Sequence, residues 1–156
     1  MSINLSNSLP PAPAGSTLVT FATDGAGNVS AYTTAAVELT ANGYDNTAQV
    51  ANIGTTPLVA VPVKGRYRIS AYIIVTSVGT TSTLPSIVIT WNDADSGVNQ
   101  SAAVTPTNTG NTTTTFQSND EFISADVSAA INFSTTGYAS TGTPMQFAIH
   151  ITVEKL

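Results

Sequence analysis

The chain has 156 residues, of which 8% are Asp, Glu, Lys or Arg, with a net charge of −5, one His and no Cys. A soluble domain usually carries about 25% charged residues, so this composition withholds the groups from which most catalytic sites and nucleic-acid interfaces are built. Disulfides and thiolate metal sites are excluded, no apolar run is long enough for a membrane-spanning helix, and the acidity opposes binding to nucleic acid or to anionic membrane.

What replaces charge is Thr, Ser, Asn, Ala and Val, a surface that is cheap to desolvate and suited to packing against other chains. Residues 1–16 read as an extended arm. Pro10, Pro11 and Pro13 fix φ and donate no backbone hydrogen bond, so the stretch is neither helix nor central strand. Ile3 and Leu5 are its apolar anchors, too few to fold alone, and the arm is expected to order by docking. It also lacks the basic segment and apolar core of a secretory signal, which implies cytoplasmic synthesis.

Residues 17–156 read as a head built of strands. Leu18–Phe21 and Val29–Thr33 flank the turn Asp24–Asn28 and predict a hairpin. From Arg66 to Thr76, Tyr67, Ile69, Ala71, Ile73 and Val75 share one face, and Arg68, Ser70, Tyr72, Ile74 and Thr76 the other. The second face is half apolar and is expected to be covered as well. Pro85–Trp91 and Val98–Thr105 form the next hairpin; Thr112–Gln117, Phe122–Ala125 and Ala129–Ser134 follow as shorter strands. In Met145–Glu154, Phe147, Ile149, Ile151 and Val153 alternate with Ala148, His150, Thr152 and Glu154. No amphipathic helix is predicted. The expected fold is all-β, a jelly-roll β-sandwich of about eight or more antiparallel strands.

Few residues point to chemistry. Asn92, Asp93, Asp95 and Asn99 could offer hard oxygen ligands to calcium, with Asp93 and Asp95 the metal candidates. The competing reading is a hairpin loop capped by its own side chains. Lys64, Arg66 and Arg68 fall within five residues and read as a solvated edge or half of an intersubunit ion pair. His150 sits mid-strand with no Gly-x-Ser-x-Gly elbow in the chain, and Asp120 and Glu121 are adjacent strand residues on opposite faces. No catalytic group and no cofactor is expected. Tyr44, Asp45 and Tyr138, read as lying in Gly- and Asn-rich loops, are the candidates for ligand contact, and Thr112–Thr115 for a receptor loop. Asn4, Asn28, Asn99, Asn111 and Asn132 match N-x-Ser/Thr, as so much Ser and Thr would produce by chance.

Two stretches carry a resemblance. Ile3-Asn-Leu-Ser-Asn-Ser-Leu-Pro-Pro-Ala-Pro-Ala-Gly15 with Asp24-Gly-Ala-Gly-Asn-Val-Ser-Ala-Tyr32, and the tail Phe133 to Leu156, resemble small virion proteins of tailed phages and prophages, in which a Pro-rich arm precedes a compact β head. Gly65-Arg-Tyr-Arg-Ile-Ser-Ala-Tyr-Ile-Ile-Val75 resembles the Gly-x-Tyr strand of tumour-necrosis-factor and complement-type heads, jelly rolls that trimerise about a three-fold axis. The resemblance implies a non-enzymatic virion structural protein, a homotrimeric capsid decoration or head-fibre protein. Ile3, Leu5, Pro10, Pro11 and Pro13 would fasten it to a major capsid or other virion protein, and Tyr67, Tyr72, Ile74 and Phe147 would line the trimer contact. A receptor- or glycan-binding head of a tail fibre or baseplate, and a self-assembling filament or surface-layer subunit, are the alternatives.

Overall fold

The computed structural model describes Val19–Thr23 and Val29–Thr33 by their backbone, together with residues 42–156. The chain divides into two compact units, Met1–Glu38 and Leu39–Leu156. In the first, β1 (Val19–Thr23) and β2 (Val29–Thr33) pair antiparallel, Phe21 opposite Ala31. This is the predicted hairpin; its turn, Asp24–Asn28, and the arm residues Ile3, Leu5, Pro10, Pro11 and Pro13 lie outside the described residues.

The second unit holds β3 (Asn42–Gln49), β4 (Thr56–Ala60), β5 (Gly65–Ser77), β6 (Thr81–Leu84), β7 (Ser86–Asn92), β8 (Asn99–Thr105), β9 (Asn108–Thr109), β10 (Phe116–Ala125), β11 (Ala130–Thr136), β12 (Ala139–Thr141) and β13 (Gln146–Lys155). Two four-stranded antiparallel sheets, in the orders β10-β5-β13-β3 and β4-β11-β7-β8, bury one common core. Setting aside the short β6, β9 and β12, which form their own three-stranded sheet, the main strands alternate between the two sheets except at the β7–β8 hairpin, as two wrapped Greek keys do. The expected jelly roll is the fold observed. No helix occurs among the described residues, and so none long and apolar enough to cross a membrane.

Period-two alternation decides the core. On β5 the residues Tyr67, Ile69, Ala71, Ile73 and Val75 are buried, and on β13 Phe147, Ile149, Ile151 and Val153. Facing them from the second sheet are Leu58, Ile87, Ile89, Val104, Ile131 and Phe133. Each large apolar side chain removed from water contributes about 1.5–3 kcal/mol. Two buried hydroxyls are retained because each satisfies a backbone group that the ladder leaves over. At the irregularity between Ile87 and Val88, Thr105 Oγ1 accepts from Ile87 N–H at 3.0 Å; Thr135 Oγ1 accepts from Ile53 N–H at 2.7 Å.

Three expectations about elements are corrected. Thr112–Gln117 and Phe122–Ala125 are not separate strands: Phe116–Ala125 is one ten-residue strand. Thr112–Thr115 is the turn that precedes it, closed by Thr115 N–H donating to Thr112 C=O at 2.9 Å. Tyr44 and Asp45 do not lie in a loop but in β3, held against β13 with Tyr44 opposite Ile151 and Asp45 opposite His150.

Candidate functional site on the outward face of the β10-β5-β13-β3 sheet

Because the odd-numbered residues of β5 point into the core, its even-numbered residues point outward. Antiparallel register aligns them with their neighbours in rows across the strands. The rows are Phe116–Ile74–Ala148, Ser118–Tyr72–His150–Asp45, Asp120–Ser70–Thr152–Gly43, and Phe122–Arg68–Glu154. Phe116 is 53% and Phe122 56% exposed, and Tyr72 and Ile74 are half-buried. The Tyr72 ring centroid lies 5.9 Å from that of Phe116 and 5.9 Å from that of His150. An apolar and aromatic band of this kind on an outer face marks a surface for contact.

Two contacts between ionisable groups lie on this face. Arg68 pairs with Glu154, and His150 Nδ1 lies 2.9 Å from Asp45 Oδ1. The expectation of an intersubunit ion pair at Lys64–Arg68 therefore gives way, for Arg68, to a bond inside its own head. Beside the row that carries Tyr72 lies an open trough of about 460 Å³, lined by Tyr72, Ser118 and His150 of that row and by Ser70, Thr152 and Asp120 of the next.

The four residues expected at the trimer contact separate into two pairs. Tyr72 and Ile74 are on this face. Tyr67, 3% exposed, and Phe147, 0% exposed, are in the core of their own head. The Tyr67 hydroxyl donates to Val63 C=O at 2.6 Å, and burial raises its pKa above the ordinary phenol value. Sequence reading missed Phe116 and Phe122. Their six-residue separation puts them on one face of a single strand, a signal lost when that strand is read as two.

The residues expected to contact ligand in loops have other work. Tyr44 packs its ring on Phe133 at 4.6 Å. The Tyr138 hydroxyl donates to Met145 C=O at 2.8 Å, and its ring lies 5.8 Å from Phe147. Only Asp45 of the three is exposed. In the β7–β8 turn, Asp93 Oδ1 accepts from Asp95 N–H at 3.1 Å, Ser96 N–H at 2.8 Å and Ser96 Oγ–H at 2.9 Å. The Ser96 bonds, chiefly its N–H, hold the Asp93 carboxyl below the usual carboxylate range. That oxygen is committed to the turn, which Gly97 closes with a φ of +69°. Among the described residues no group of three or more His, Cys, Asp or Glu could hold a metal ion.

No protein-family model matches the chain, and no curated protein matches it. Among solved structures the chain is similar to the VP2 subviral particle of infectious bursal disease virus, at 15% identity and a TM-score of 0.42, over 94% of this chain and 40% of that one. A viral particle of the same virus gives 11% identity and a TM-score of 0.39, over 92% of this chain and 41% of the other. The Gt strain of that virus gives 13% identity and a TM-score of 0.37, over 95% and 42%. The chain thus spans about two fifths of the length of these neighbours.

Proposed function

We propose that the chain is a non-enzymatic virion structural protein whose head associates with copies of itself through the outward face of the β10-β5-β13-β3 sheet, as a trimeric capsid decoration or head-fibre protein fastened through its N-terminal arm. The observation that carries the reading is the Phe116–Ile74–Tyr72 band: exposed or half-buried aromatic and aliphatic groups, with no charge among them, on the outward face of a charge-poor chain. A neighbouring copy laid on this band would gain the transfer free energy of two large aromatics without desolvating an ion. Closed cyclic symmetry satisfies such a surface without open-ended growth. The virion setting is supported by the resemblance of both chain ends to small tailed-phage virion proteins. Ile3, Leu5, Pro10, Pro11 and Pro13 are the fastening residues in this reading, and three arms on one trimer turn weak single contacts into lasting attachment.

The test is the mass in solution of three proteins: the full chain, the chain lacking residues 1–15, and the full chain carrying Ile74→Ser and Phe116→Ser. The full chain is expected at three times 16.0 kDa, the shortened chain at three times its own smaller subunit mass, and the double variant at 16.0 kDa. A monomeric full chain refutes self-association of the free head. Arm-dependent polymers select the filament reading instead.

A further inference from the structure

We infer that the trough beside Tyr72 is a seat for a neutral, polyhydroxylated ligand, a pyranose unit of a glycan. Its volume of about 460 Å³ falls within the range of about 300–1,000 Å³ typical of small-molecule sites. Its lining combines two kinds of surface that a sugar ring needs. One wall is aromatic: Tyr72, its ring centroid 5.9 Å from those of Phe116 and His150, lines the trough, and an aromatic ring attracts the C–H side of a pyranose. Beside it the lining is hydrogen-bonding: the hydroxyls of Ser70, Ser118 and Thr152, and the exposed carboxylate of Asp120. Hydroxyls donate and accept, and a carboxylate accepts two sugar O–H donors in charge-assisted bonds.

The electrostatics set the class. Arg68 is paired with Glu154 and His150 with Asp45, whereas Asp120 has no ion-pair partner among the described residues. An anionic ligand would meet Asp120 with no free cation to offset it, so phosphates and acidic sugars are disfavoured relative to neutral ones. The seat shares Tyr72 with the Phe116–Ile74–Tyr72 band, so it rests on a subunit contact centred on Phe116 and Ile74 that leaves the Asp120–Ser70–Thr152 row uncovered.

The experiment titrates the isotope-labelled full chain with methyl glucoside, methyl galactoside, methyl mannoside and methyl N-acetylglucosaminide, with glucuronate as the anionic control, following backbone amide shifts. Saturable shifts centred on Ser70, Ser118 and Thr152 are expected with at least one neutral sugar, and weaker binding of glucuronate. Asp120→Asn and Ser70→Val should each weaken that binding about tenfold or more, whereas Tyr72→Phe, which keeps the ring, should retain it. The mass in solution of Asp120→Asn should equal that of the parent chain. Absence of saturable shifts with every neutral sugar, or shifts that survive both trough variants, overturns the inference. So does a change of mass in Asp120→Asn, which would assign the row to the subunit contact. The assembly reading fails on its own measurement, a monomeric parent chain.

Discussion

Tyr67 and Tyr72 are five residues apart on one strand and do opposite things. The alternation of β5 separates them onto two faces, and that much is legible in the sequence. Both faces carry apolar groups, however, so parity alone does not say which is inside. The structure places Tyr67 in the core with its hydroxyl on Val63 C=O, and the buried phenol holds its proton more tightly than it would in the unfolded chain. The folded state therefore binds more protons than the unfolded one between the ordinary phenol pKa of 10.0 and the raised folded value. The stability contributed is fully present below the ordinary value and is lost as pH rises through the folded one. Urea unfolding of the parent chain should show its midpoint falling above about pH 10. Tyr67→Phe should flatten that alkaline fall and cost about 1 kcal/mol at neutral pH for the lost hydrogen bond. An unchanged alkaline fall in the variant would assign it to another group. Asn111 is a residue that no sequence pattern isolates. Its Oδ1 accepts from Gly79 N–H and Ser82 Oγ–H at 2.8 Å each, and its Nδ2 donates to Gly79 C=O and Thr80 C=O. The glycosylation triplet that begins at Asn111 describes none of this.

At the scale of elements, strands with strong alternation were readable and the weak ones were not. β5, β7, β8, β11 and β13 fall within one or two residues of their expected bounds. β3 reads Asn-Gly-Tyr-Asp-Asn-Thr-Ala-Gln, a sequence of turn formers that becomes a strand because β13 supplies a ladder for it. Gly43 shows how close that pairing is: a Cβ at this position would stand 2.1 Å from the Ile151 carbonyl oxygen. Gly43→Ala should push β3 away from β13 and cost about 1–3 kcal/mol, read as a lower urea midpoint with faster amide exchange confined to β3 and its partner. An alanine variant as stable as the parent would show that the edge strand yields at no cost. β10 was divided in sequence because Ser118, Asn119, Asp120 and Glu121 interrupt its apolar character. Paired along its whole length with β5, it stays continuous and carries Phe116 and Phe122 on the same outward side.

For the whole molecule, composition and strand count were enough to indicate a jelly roll. The location of the proposed contact surface was half legible, since the sequence pattern puts Tyr72 and Ile74 on the outward face but does not reveal Phe116 and Phe122 beside them. The ligand seat was invisible, because its lining draws Asp120, Ser70 and Thr152 from three strands far apart in the chain. If the proposed trimer is held by the uncharged Phe116–Ile74 band, its association should barely respond to ionic strength. Sedimentation in about 0.1 M and about 1 M salt, across which the screening length falls from about 10 to about 3 Å, should return the same mass. Dissociation at high salt would move the contact to the Arg68 end of the face.

The order in which the main sheet is assembled carries a consequence for synthesis. β13, the last of these strands in sequence, lies between β5 and β3, and among the described residues it supplies the only ladder that β3 has. A ribosome making this chain exposes β3 and β5 before the strand that joins them exists. The head therefore closes in a single late event, at the slow end of folding rates as expected for pairings so distant in sequence. Until then the nascent chain presents unpaired β edges to its neighbours on the same message, where crowding of half-made heads favours exchange of β13 between copies.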